Sequence, residues 1–170
     1  MGLAAEKNIV LTGFMGTGKT TVGRVLAERL GFDFVDTDAV IESQAGPIHG
    51  IFERDGEEAF REKERSAARD LAGRAGLVIA TGGRMMLDPE CAACLEPVAD
   101  VVCLNAAPET ILERIGGTAR RPLLDVGDAP SRVRELLAER AEGYKRFIAV
   151  DTDGRTPDEV ADAVMARLGL

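Results

Sequence analysis

The chain has 170 residues, enough for one domain with its own core. Hydrophobic residues make up 45% of it and charged residues 29%, with a formal net charge of -8. That acidic balance argues against a nucleic-acid partner, whose phosphates it repels, and no run of about 18 apolar residues is available to span a membrane.

The N-terminal stretch carries Glu6 and Lys7 where a secretory signal would need an unbroken apolar run, so no signal peptide is expected. Asn8 to Thr12 reads as a buried strand. A glycine-rich turn follows, then a helix from about Lys19 to Leu30. Phe32 to Val35 is a second short strand. Ala39 to Arg74 reads as helical, broken at Gly46-Pro47 and again at Gly56. Leu77 to Ala80 and Val101 to Leu104 are the third and fourth strands. A helix starts near Pro108, and Gly116 to Ala129, rich in Gly, Pro, Arg and Asp, reads as a mobile loop. Helix returns over Ser131 to Arg146. Phe147 to Val150 is the fifth strand, and Pro157 to Leu168 closes the chain as a helix with proline in its first turn. Short apolar runs alternating with helices imply an α/β fold with a parallel sheet covered on both faces. Its ligand site is expected at the carboxyl ends of the strands. The clusters GFMGTGKT, DTD and TGGR follow the first, second and third strands, so all three should meet at that edge.

Gly13-Phe14-Met15-Gly16-Thr17-Gly18-Lys19-Thr20 matches the P-loop pattern G-x-x-x-x-G-K-[ST] at every position. Its glycines let successive backbone N–H groups point inward at phosphate oxygens. The helix beginning at Lys19 adds its positive dipole end. Lys19 is expected to reach the β- and γ-phosphates of ATP, and the Thr20 hydroxyl to ligate Mg²⁺. Gly16, Thr17, Gly18 and Thr21 complete the expected nucleotide cradle. Asp36 and Asp38 stand two apart at the end of a strand, so their carboxylates can share one face. One could hold a metal-bound water and the other could orient or deprotonate an acceptor hydroxyl; the alternative is that Asp38 only caps the next helix. A switch GTPase would carry Asn-Lys-x-Asp, which the chain lacks. LVIA is followed by Thr-Gly-Gly rather than by a Walker-type aspartate. Both absences favour a small-molecule kinase.

In their order and spacing, GFMGTGKTTVGR, FVDTD, IFERDGEEAFRE, ATGGR, RIGGTARRPLL, ERAEGY and VDTDGRTPDEVA resemble the shikimate kinase family over nearly the whole chain. The resemblance implies a five-stranded parallel sheet in the order 2-3-1-4-5. It implies ATP-dependent phosphorylation of the 3-hydroxyl of shikimate. The chain is expected to act as a single-domain monomer, and its three cysteines fit a reducing cytoplasm. Helices over about 38–65 would bind the acceptor, and a lid over about 116–129 would close on it. Position by position, Asp38 would hold the acceptor hydroxyls and serve as base, and Arg61 and Arg140 would clamp the carboxylate, which guanidinium forks bind bidentately. Gly82 and Gly83 would lie against the substrate ring, and Asp36 would be the outer-shell magnesium residue. Arg121 would be the lid arginine that stabilises charge on the phosphates, and Arg114, Arg155 and Pro157 would flank the adenine.

The chain departs from the family pattern in two places. Arg84 stands where a third glycine is usual, and could supply a further carboxylate contact, swing to solvent, or mark another acceptor such as gluconate. Ala45 to His49 looks one residue short and lacks the usual basic residue and Ser or Thr. A nucleotide-binding regulatory module is the competing class, opposed by the intact Lys19, Thr20, Asp36 and Asp38. Cys91 and Cys94 form a C-x-x-C with no second pair, on an expected helix over Pro89 to Leu95. They and Cys103 read as packing thiols in a reducing compartment. His49, the only histidine, reads as a surface residue.

Overall fold

β1 (Asn8–Thr12) is buried at every position and forms the middle of a parallel sheet ordered β2-β3-β1-β4-β5. The computed structural model describes residues 7–116 and 128–170. β1 pairs with β3 (Leu77–Ala80) through Ile9 opposite Val78 and Leu11 opposite Ala80. On its other side it pairs with β4 (Ala99–Asn105), from Asn8 opposite Ala99 to Thr12 opposite Cys103. β2 (Asp33–Asp36) and β5 (Ile148–Asp151) are the edges. A central strand buried on both faces favours apolar side chains, and Ile9-Val10-Leu11 and LVIA meet that demand; the buried Asn8 is satisfied by donating to Arg74 O and accepting from Leu77 N.

The pleat separates the two cores. Ile9 and Leu11 face α1 (Lys19–Leu30) and α8 (Pro157–Leu168), packing with Leu26, Val160 and Val164. Val10 points the other way, toward α4 (Glu57–Ala72) and α5 (Pro89–Leu95), with Leu71, Ile79 and Leu95. Two satellite clusters flank the carboxyl edge of the sheet. α2 (Thr37–Ala45), α3 (Ile48–Asp55) and α4 bury Ile41, Ile51 and Phe60 together. Phe14 of the P-loop packs with Ile111 of α6 (Pro108–Ile115) and with Val133 and Leu136 of α7 (Ala129–Tyr144). The expected strand order and number are met.

Several boundaries move, each for a local reason. Gly31 ends α1 in the left-handed region at φ 67 and donates to Ala27 O and Glu28 O. Phe32 N also donates to Ala27 O, so Phe32 belongs to the helix terminus and β2 starts at Asp33. β4 is longer than VVCL because Asn8 and Thr12 of β1 extend its ladder at both ends. α7 starts at Ala129 rather than Ser131 because Asp128 caps it, accepting from Ser131 N. α2 starts at Thr37 because Asp36 is its cap, accepting from Ala39 N at 3.2 Å. The capping alternative for Asp38 therefore fails: Asp36 takes that task, and Asp38 lies in the first turn of the helix. Arg121 and nearly all of the expected 116–129 lid lie outside the described residues.

Candidate active site

The P-loop turns at glycines that other residues could not replace. Gly13 has φ 132, and a Cβ there would meet Leu104 O at 2.3 Å. Gly18 is the cap of α1 at φ 94, with no side-chain cap and no acidic residue in the first turn. The orphan N–H groups and the positive dipole end of α1 therefore face the loop interior unopposed by a carboxylate of that turn. Thr17 Oγ1 donates to Phe14 O at 2.8 Å, and Lys19 Nζ donates to Gly13 O at 2.7 Å and Phe14 O at 2.8 Å. Thr20 and Thr21 are exposed beside them on the first turn of α1. Thr20 Oγ1 donates to Asp36 Oδ2 at 2.8 Å, so the two expected metal residues meet across the β1 and β2 termini. Among the described residues no group of three His, Cys, Asp or Glu side chains could hold a metal on its own.

Opposite the P-loop, a cleft of about 670 Å³ contains Lys19, Thr20, Asp38, Arg61, Gly82 and Arg140. Three sequence-distant segments, the DTD, Phe60-Arg61 and Arg140, thus reach one space. The turn after β3 joins them. Gly82 N donates to the buried Thr37 hydroxyl at 3.1 Å. A Cβ on Gly82 would lie 2.8 Å from Glu64 Oε1 and 2.9 Å from Asp38 Oδ1. A Cβ on Gly83 would lie 3.0 Å from Arg140 Nη1. The two glycines therefore let two carboxylates and a guanidinium close on the backbone. Arg140 is 6% exposed and its guanidinium lies over the Phe14 ring, 5.1 Å from the centroid, which ties α7 to the P-loop.

Glu64 and Glu57 escaped the sequence reading. Both lie in the charged run EEAFREKER, where the buried Glu64 looks like its solvated neighbours. The available signal was spacing: on a helix, Glu57 and Glu64 fall at i−4 and i+3 from Arg61. Arg61 Nη1 donates to Glu64 Oε2 at 2.8 Å and Nη2 to Glu57 Oε1 at 2.9 Å. Glu64 is 1% exposed, and its Oε1 has no hydrogen-bond partner among the described residues. Burial pushes its carboxyl up to about 7; Arg61 pulls it down and Asp38 pushes it further up. For Arg61 burial works against the charge, but Glu64 and Glu57 outweigh it and raise its pKa. Tyr144 adds a further missed contact, its hydroxyl donating to Gly83 O.

Arg84 takes an ordinary right-handed backbone, φ −105 and ψ −6, so the position itself does not demand glycine. Its side chain is 56% exposed at the cleft mouth and reaches Glu57 Oε1 at 3.4 Å. Arg114 Nη1 donates to Gly16 O at 3.1 Å and to Thr152 Oγ1 at 3.0 Å, joining the P-loop to the turn after β5. Arg155 and Pro157 are exposed on that turn and at the start of α8. His49 pairs with Glu53 at 3.1 Å on α3 and also borders the cleft. The thiols of Cys91 and Cys103 are buried, and burial pushes them up to about 12 and about 11. All three cysteines are free. Among the described residues no helix is long and apolar enough to cross a membrane.

The sequence model of the shikimate kinase family matches residues 15–169. The shikimate kinase of Caldanaerobacter subterraneus subsp. tengcongensis is 47% identical over 94% of each chain. That of Thermus thermophilus is 45% identical over 94% of this chain and 89% of its own. Among solved structures, shikimate kinase from Acinetobacter baumannii in complex with shikimate superposes with a TM-score of 0.89 at 37% identity, covering 96% of this chain and 94% of that one. A gluconokinase from Sinorhizobium meliloti, at 22% identity and TM-score 0.63, shares the fold alone.

Proposed function

The chain belongs to the shikimate kinase family, and from that premise we propose that it transfers the γ-phosphoryl group of ATP to the 3-hydroxyl of shikimate. The observation that carries this reading is the cleft in which Asp38, Arg61, Gly82 and Arg140 face the P-loop. Two guanidiniums suit one carboxylate, and a carboxylate beside the phosphate cradle suits a hydroxyl nucleophile.

In this reading the backbone of Gly16, Thr17 and Gly18 binds the phosphates, with Lys19 on the β- and γ-oxygens. Arg61 and Arg140 orient the acceptor through its carboxylate, and Gly82 and Gly83 admit its ring. Asp38 orients the 3-hydroxyl and takes its proton as the new oxygen–phosphorus bond forms and the bond to ADP breaks. The Thr20 hydroxyl and Asp36, already joined at 2.8 Å, fit a hard divalent cation such as Mg²⁺ that arrives with the nucleotide. That ion would neutralise charge on the transferring phosphate. Arg114, Thr21, Arg155 and Pro157 are assigned to the nucleotide side. Arg121, outside the described residues, is assigned to the lid on the resemblance alone. The whole chain is read as a single P-loop kinase domain, monomeric and cytoplasmic.

Arg84 raised gluconate as an alternative acceptor. Its half-exposed side chain pairs with Glu57 at the cleft mouth. Thermal stabilisation decides between them, since a true ligand raises stability by mass action. Shikimate added to the ADP complex should raise Tm, and gluconate should not; the reverse pattern would overturn the acceptor.

A further inference from the structure

Arg84 stands between two cavities. It lines the acceptor cleft and also an outer cavity of about 320 Å³ whose wall includes Glu57, Arg132, Arg140 and Arg146. The next two residues, Met85 and Met86, are fully buried, so the point from which the side chain leaves the backbone is fixed by the core. From there Arg84 Nη1 reaches Glu57 Oε1 at 3.4 Å. The same oxygen accepts from Arg61 Nη2 at 2.9 Å. One carboxylate oxygen is therefore shared by a guanidinium inside the cleft and a guanidinium at its rim.

We propose that Arg84 is a positioning residue for recognition of the acceptor carboxylate, acting through Glu57 on Arg61. This deepens the shikimate kinase reading and rests on it. Glu57 carries one negative charge, and it lies next to the fork that must grip an anion. Left alone with Arg61 it competes with the acceptor carboxylate for Nη2 and repels it. Arg84 draws part of that charge toward the rim. Arg61 then keeps its orientation, set from the other side by the buried Glu64 at 2.8 Å, and can turn Nη2 to the incoming carboxylate at lower cost. Arg84 itself need not touch the acceptor. Exposed pairs of this kind change equilibria by about two- to fivefold, so the effect belongs in acceptor affinity and not in the chemical step.

The test is a double-mutant cycle read by steady-state kinetics with shikimate and ATP. Arg84→Gly should raise the KM for shikimate about threefold, with kcat and the KM for ATP unchanged, and Arg84→Lys, which keeps the charge, should recover most of the loss. In an enzyme already carrying Glu57→Gln, Arg84→Gly should have no further effect, because the charge through which Arg84 acts is gone. An equal rise in both backgrounds would mean direct contact with the acceptor and would overturn the proposal, as would an unchanged KM in the first. A native enzyme that does not phosphorylate shikimate would overturn the functional reading and this inference with it. A native enzyme active on shikimate that fails the cycle overturns this inference alone.

Discussion

Glu64 Oε2 accepts from Arg61 Nη1 at 2.8 Å, while Glu64 Oε1 points at the same side of Gly82 as Asp38 Oδ1. One buried carboxyl thus steadies the cation assigned to the acceptor carboxylate and also faces the proposed base. Because burial raises it from 4.5 to about 7, the folded state holds a proton that the unfolded state releases across that interval. The contribution of Glu64 to stability is therefore fully present below about pH 4.5 and is lost as pH rises through about 7. Melting curves of the native chain and of Glu64→Gln should show the native losing ground to the variant across that window. Parallel profiles would show that Glu64 titrates normally.

The turn after β3 gives a steric prediction. Gly82→Ala puts a methyl group 2.8 Å from Glu64 Oε1 and 2.9 Å from Asp38 Oδ1, and both must move. A displacement of about 1 Å among reacting groups can cost ~100-fold. kcat/KM for shikimate should fall by about that factor, while stabilisation by ADP alone persists because the P-loop is untouched. Full activity in the variant would show that the cleft is looser than described.

Asp36 has two tasks, capping α2 and accepting from Thr20. Asparagine can cap almost as well as aspartate but carries no charge for a metal shell. Asp36→Asn should therefore fold normally and need ~10–100-fold more Mg²⁺ for half-maximal turnover. A magnesium titration measures this directly, and an unaltered midpoint would remove Asp36 from the metal site.

The thiols should separate by burial. Cys94 is half-buried on α5, whereas Cys91 and Cys103 are enclosed and pushed up to about 12 and about 11. Only the thiolate reacts, so a thiol reagent at pH 8 should modify Cys94 first and reach the other two on unfolding. Rapid modification of Cys91 together with Cys94 would contradict the packing reading of the C-x-x-C.

What could be read in the sequence and what could not divide along physical lines. The P-loop was legible because its glycines and Lys19 answer a backbone requirement that few sequences meet by chance. The sheet order came from the family resemblance, and the strand cores from their apolar runs. Which aspartate of DTD caps α2 was not legible, since either can cap and only the ladder to β3 fixes where β2 ends. Glu64 was hidden for a related reason: its burial is made by its neighbours in the fold, Asp38 and Gly82 among them, and nothing local marks it as buried; Glu57 is exposed and shows its role only through its contacts with Arg61 and Arg84. Arg61 had the same composition problem, and the framework of matches rather than its own neighbours singled it out. Arg84 looked like a disruption of a glycine turn, yet its φ of −105 shows that the backbone there accepts a side chain.

ADP release in the presence of shikimate reads out whether a carboxylate-bearing cyclic alcohol is held opposite the P-loop. The expected result is a rate that saturates with shikimate, phosphate appearing on the 3-hydroxyl by ³¹P NMR, and near-complete loss in Asp38→Asn. ADP release no faster with shikimate than with water alone would contradict it.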